Sequence, residues 1–234
     1  MKRSLVSAVT ASAVAALALM CASQTAQAQE TARKVSNGGI MVPGWMGTVD
    51  HPDSEMLENS RLEKQGDALH VTTGPAVTYW NPMNTASGQY TVSATFNEAH
   101  YMNLNDHPHP YGIMIGGADM GTPQETYLYC AAYGNGSFIV RGFGPEPFQM
   151  NGRRGEMSDA VHKAADKDQP VTQEIAVTVT NDAVKCSING TEVASYPKAD
   201  VVGQGKLAST DGVYGIRFGH NTEATVTGLK LVSN

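Results

Sequence analysis

Apolar and polar residues alternate with period two along most of this chain, the mark of strands that bury one face. The stretch Tyr90 to Asn97 reads Tyr-Thr-Val-Ser-Ala-Thr-Phe-Asn and puts Val92, Ala94 and Phe96 on one side. The same reading predicts strands over 69–71, 76–80, 111–117, 126–133, 137–143, 174–180, 183–188, 191–196, 213–220 and 224–232. Turn pairs separate them: Asn135-Gly136, Asn181-Asp182 and Asn189-Gly190. Asn-Gly suits a type I′ hairpin, because both central residues need positive φ. The two Asn-Gly pairs also open glycosylation sequons, and the turn role is the one expected here. Only Ser158 to Ala165 has helical spacing, through Ala160, Val161 and Ala164, and predicts a short loop helix. About ten to twelve short antiparallel strands cannot bury their apolar faces in one sheet, so an all-β, two-sheet sandwich is expected.

Composition narrows the class. With 234 residues, 41% apolar and 16% charged, the chain can build one sizeable core, which excludes disorder. The 24 glycines and 11 prolines exclude a coiled coil. A formal charge of −6 argues against nucleic acid as a partner, which calls for a basic stripe. Lys2 and Arg3, the uncharged run from Leu5 to Met20, and Ala26-Gln27-Ala28 together spell a secretory signal peptide over residues 1–28, cut after Ala28. The apolar run is shorter than the ~20 residues of a membrane span. Cys21 opens a lipoprotein reading that Met20, too large for the preceding position, disfavours. A periplasmic or secreted location follows, and loss of Lys2 and Arg3 takes the charge from −6 to −8. Residues 29–44 are expected to form a flexible lead-in and 45–234 a single domain. Cys130 and Cys186 remain, with one possible bridge between them; they equally suit two small buried residues that happen to be cysteine.

The order Tyr90-Thr-Val-Ser-Ala-Thr-Phe, Tyr111-Gly-Ile-Met-Ile-Gly-Gly, Tyr127-Leu-Tyr-Cys, Gly136-Ser-Phe-Ile-Val-Arg141, Val184 to Val193 with its Asn-Gly turn, and Gly212-Val-Tyr-Gly-Ile-Arg-Phe218 carries a family resemblance over residues 45–233. It resembles the concanavalin A-like lectin/glucanase jelly roll, nearest the laminin-G-like and 3-keto-disaccharide hydrolase-type modules of bacterial exported proteins. The resemblance implies a curved two-sheet sandwich whose concave face often holds carbohydrate. It says little about chemistry, since one fold hosts many activities.

Candidate chemistry lies in two places. Alternation puts Tyr127, Tyr129 and Tyr133 opposite Leu128, Cys130 and Ala132, so the tyrosines are expected to face outward, as stacking surfaces for sugar or as a covered ladder. Tyr79 and Trp80, at a strand end beside Asn81-Pro82, could wall the same groove or cap the core. Arg141 offers a donor fork for a carboxylate or sugar hydroxyls, while Arg217 is expected to close a salt bridge. The second place is Asn105-Asp106-His107-Pro108-His109-Pro110, where two histidines at i and i+2 point to one side, about 6–7 Å apart. That spacing serves a metal, an acid/base pair, or a rigid entry loop. His100 and His220, at strand ends, could join them at one rim. The long segment 144–168 could form a lid.

Several motifs are missing. No Glu-x-Asp-x-x-Glu strand of the family-16 glycoside hydrolases, Gly-x-Ser-x-Gly elbow, Walker loop or His-Glu-x-x-His occurs. The reading is therefore an exported, non-catalytic module that binds carbohydrate or a related polar ligand through Tyr127, Tyr129, Tyr133, His107, His109, Arg141 and His220, with no cofactor required. Its alternative is a glycoside hydrolase or lyase using His109 and His220, with a divalent metal at His107 and His109. A structural surface-assembly domain is the third.

Overall fold

The computed structural model describes residues 31–233, so the expected signal peptide lies outside the described residues. Along the described chain run β1 (Gly39–Ile40), β2 (Met46–Val49), β3 (Arg61–Gln65), β4 (Ala68–Thr72), β5 (Val77–Ala86), β6 (Tyr90–Glu98), β7 (Tyr111–Ala118) and β8 (Thr126–Ala132). Then follow β9 (Ser137–Phe143), β10 (Phe148–Gln149), β11 (Glu156–Met157), β12 (Val171–Val179), β13 (Ala183–Ile188), β14 (Thr191–Pro197), β15 (Gly212–Phe218) and β16 (Glu223–Ser233). They form two sheets. The first has the order β1-β3-β4-β16-β6-β12-β13-β14, and the second β10-β9-β8-β7-β15-β5-β2, with β11 also on β9. The all-β sandwich read from the alternation is what the chain forms.

The core lies between the sheets and follows the period-two rule. Tyr90, Val92, Ala94 and Phe96 of β6 and Val171, Ile175, Val177 and Val179 of β12 are buried against Tyr79, Ile113, Leu128, Val140 and Ile216 of the second sheet. Cys130 of β8 and Cys186 of β13 both point into this layer, and a disulfide joins them across it. Strands β7 and β8 are buried on both faces, because the outward side of the second sheet carries a smaller apolar cluster of Trp80, Met114, Tyr127, Tyr129, Ala131 and Ile139. Tyr79 and Trp80 thus divide between the two layers.

Local departures have local causes. The expected helix at 158–165 does not form: Val161 plugs the core at 3% exposure, and the amides of His162 and Ala164 donate to Gln173 and Gly134 rather than to each other. Strand β5 runs on through Pro82, at positions 81–84 where neither neighbouring strand pairs with it, so the missing N–H costs no ladder bond. Segment 144–168 is not a free lid, since β10 and β11 pin it to the edge strand β9. Nor is 29–44 wholly a lead-in: β1 pairs with β3, and Val42 is 4% exposed. Asn189 and Gly190 both take positive φ, as a type I′ hairpin demands, whereas at Asn135-Gly136 only the glycine does.

Candidate functional site

Strands β7 and β15 are antiparallel neighbours with Tyr111 opposite Phe218, so the residues before β7 and after β15 emerge at one end of the sheet. Three imidazoles meet there. The His109 and His220 ring centres are 3.7 Å apart; His107 lies 4.3 Å from His109 and 6.0 Å from His220. One ligand atom from each of the three falls within 4.8 Å of the others, and ring movements on the order of an ångström would bring them to the roughly 3.4 Å separation that bonds of about 2.1 Å to one tetrahedral ion require. His220 sits two residues past the end of its strand, not at its last position. The fourth histidine considered, His100, stays apart, its Nδ1 2.9 Å from Asp168 Oδ1.

The surroundings fix this arrangement. Pro108 and Pro110 lock the backbone on either side of His109. The Gly219 amide donates to the Pro110 carbonyl at 2.7 Å, and a Cβ on Gly219 would lie 3.0 Å from that of His109, so glycine lets the two segments close. Buried Asn105 donates to the Asn221 carbonyl at 2.8 Å. Asn221, at φ +49, accepts the Arg33 amide and donates to the Thr31 carbonyl. The Thr73 hydroxyl donates to the Gly219 carbonyl and accepts from the Thr222 amide. Both histidine-bearing segments are thereby tied to the sandwich.

Asp106 Oδ1 lies 2.6 Å from His107 Nδ1. A carboxylate can only accept, so Nδ1 is the donor, which leaves Nε2 as the nitrogen that a neutral ring would offer to a metal. Burial, then the neighbouring His220 and His107, push the His109 pKa down to about 3, against a smaller opposing pull from Asp106. His109 is thus neutral near pH 7, the form that ligates.

The other candidates lie on the outward face of the second sheet. The tyrosines point that way, yet Tyr127 and Tyr129 are only 1% and 4% exposed and form no open stacking platform. Phe143 stacks on Tyr127 at 4.9 Å, and the Arg217 guanidinium lies 5.5 Å from the Tyr129 ring centre. Tyr133 remains half-exposed. Arg217 closes the expected salt bridge, a two-pronged pair with Asp50 at 2.5 and 2.6 Å, beside the Thr78 hydroxyl. Arg141, half-exposed, reaches the Tyr129 hydroxyl and lies 5.9 Å from the Phe143 ring centre.

No protein-family model matches the sequence, and no curated protein does. Among solved structures, a Bacillus subtilis protein of unknown function with a galectin-like fold is 14% identical, covers 81% of this chain and 89% of its own, and superposes with a TM-score of 0.54. The fold is the concanavalin A-like jelly roll. An endo-β-1,3-glucanase from Pyrococcus furiosus (11% identity, 81% and 89% coverage, TM-score 0.49) and carbohydrate binding module CBM66 from Bacillus subtilis (8%, 84% and 99%, 0.45) are also similar.

On this jelly roll, sequence reading missed several residues around the sites. Asp50 carries no local signal, because it meets Arg217 only in the folded sheet. Glu125, hydrogen-bonded to the Gly121 amide and Thr48, is raised by burial first, and Glu55 likewise. Glu98, 3% exposed at the end of β6, accepts the Met102 amide and faces Tyr111. Asp106 stood beside His107 in the sequence, and its role was readable there.

Proposed function

We propose that the protein is an exported binding domain that holds a divalent transition metal at His107, His109 and His220 and offers the metal's open side to a polar ligand. The observation that carries this reading is the convergence of three imidazoles with one nitrogen of each within 4.8 Å of the others. Nitrogen donors of this kind suit zinc, copper or nickel, and three of them leave room for a further ligand. Half-exposed His107 opens the cluster to solvent. Carbohydrate is the ligand class that the jelly-roll resemblance implies, and hydroxyl oxygens can complete such a site. Export follows from the signal-like first 28 residues.

A second reading has support in the same donor set. Three protein nitrogens with an open position are the ligands of hydrolytic zinc, which supplies an activated water near neutral pH. His109 would then serve as a ligand, not as the acid/base.

Metal content of the purified protein and titration with zinc, nickel and copper test both. One equivalent is expected, and His220→Ala or His109→Ala should weaken binding about 100-fold. Ligand at a hundredfold excess over Kd should raise stability by about 2.7 kcal/mol. Binding that survives in both variants would sink the metal centre. Turnover of glycosides by the metal-loaded protein, lost in His220→Ala, would favour the second reading.

A further inference from the structure

Two arginines share the outward face of the second sheet, and they are treated differently. Arg217 is 5% exposed and fully neutralised by Asp50. Arg141 lies close by, and both guanidinium groups sit against one ring, 5.6 Å and 5.9 Å from the centre of Phe143. Among the described residues Arg141 has no carboxylate partner within salt-bridge distance. Its neighbours are the Tyr129 hydroxyl and the Phe143 ring. A half-buried guanidinium beside an aromatic ring retains a planar fork of donors with no carboxylate paired to it among the described residues.

Charge is mixed along this face: Arg217, Asp50 and Glu125 act on Tyr127, Arg217, Arg141 and Asp50 on Tyr129, and Tyr129 and then Arg141 on Tyr133. Past Tyr133 the segment leading into β11 carries exposed Arg153 and Arg154, followed by Glu156, which accepts the Gly152 amide, and a Cβ on Gly155 would lie 3.4 Å from the Tyr133 ring. The chain has an acidic excess, so affinity for an anion on this face has to be local.

From this we infer that Arg141 and Phe143 form a subsite for the anionic group of an acidic saccharide, a uronate carboxylate or a sulfate ester. Arg141 takes the oxyanion through its fork. Half-exposed Phe143 packs against the sugar ring, and Tyr133, four residues along the ladder from Arg141, lies toward the next ring of the saccharide. The subsite lies two strands across and three residues along from the histidine end, on the order of 15 Å away. It does not depend on a metal there.

Calorimetric titration of EDTA-treated protein tests it, with a tetragalacturonate, a sulfated tetrasaccharide and a neutral cellotetraose as probes. Either acidic probe is expected to bind and the neutral one to bind at least about tenfold more weakly, the tighter acid identifying the anion. Arg141→Gln should weaken the acidic probe about tenfold, with Arg141→Lys between. His220→Ala should leave it unchanged, so that failure of the metal centre and failure of this subsite are told apart. Equal binding of cellotetraose, no acid binding at millimolar concentration, or an Arg141→Gln effect below about twofold would overturn the subsite. Arg141 is half-exposed, and circular dichroism checks that its variants keep the fold.

Discussion

Among single residues, Glu98 has the most telling environment. Burial raises its carboxyl from the usual 4.5 to about 7, against the opposing hydrogen bonds of the Met102 amide and Tyr111. The folded chain therefore keeps a proton that the unfolded chain gives up near pH 4.5. The stability this contributes is complete below that pH and is lost as pH climbs toward 7. Glu98→Gln should flatten the pH dependence of the melting temperature over that window and raise it at pH 8 relative to the parent. An unchanged slope in the variant would assign the titration to another group. Nothing in the sequence announces this residue: Glu98 ends the Tyr90 strand as one more polar position, and only the close packing of Tyr101 and Tyr111 makes it unusual. The histidines were legible because His-Pro-His is rare and rigid. Their third member was legible only as a strand-end candidate, since pairing of β7 with β15 decides who meets whom.

For the elements, legibility followed length. Strands of six or more residues with one wet face, such as β6, β12 and β13, could be read within a few residues, whereas β2 (four residues) and β3 (five) were not read at all. The two-residue strands β1, β10 and β11 were invisible, because a period needs more than one repeat to show. The tyrosine ladder on β8 was assigned the right face and the wrong exposure. Alternation reports direction, but Phe143 and Arg217, which cover that face, come from β9 and β15. The Cys130–Cys186 bridge ties β8 to β13 and so staples one sheet to the other. Its partners are 56 residues apart, and loop-closure entropy for that span corresponds to about 4 kcal/mol. Guanidinium unfolding with and without reductant should show a loss of that order, and the same loss in a Cys130→Ala, Cys186→Ala double variant. A midpoint insensitive to reductant would mean that packing alone holds the sheets together.

At the scale of the molecule, the ends of the described chain matter more than their exposure implies. Residues 31–33 bond to Asn221, the neighbour of His220, and the Arg33 carbonyl approaches Gly74 so closely that a Cβ there would sit 1.8 Å away. A chain beginning at Val35 should keep the sandwich, melt several degrees lower and bind metal more weakly, as circular dichroism and metal titration can check. Metal affinity equal to that of the full chain would show that the turn at 219–222 holds itself.

The other end sets a timetable. Strand β15 lies between β7 and β5, and β16 between β4 and β6, so the last two strands in sequence occupy interior positions of both sheets. A chain emerging N-terminus first cannot close either sheet until residues 212–233 are free. His220 lies in the turn that joins those strands, more than a hundred residues after its two partners. The three-nitrogen cluster is therefore born with the finished fold. Until then a growing chain holds His107 and His109 without the third nitrogen beside them.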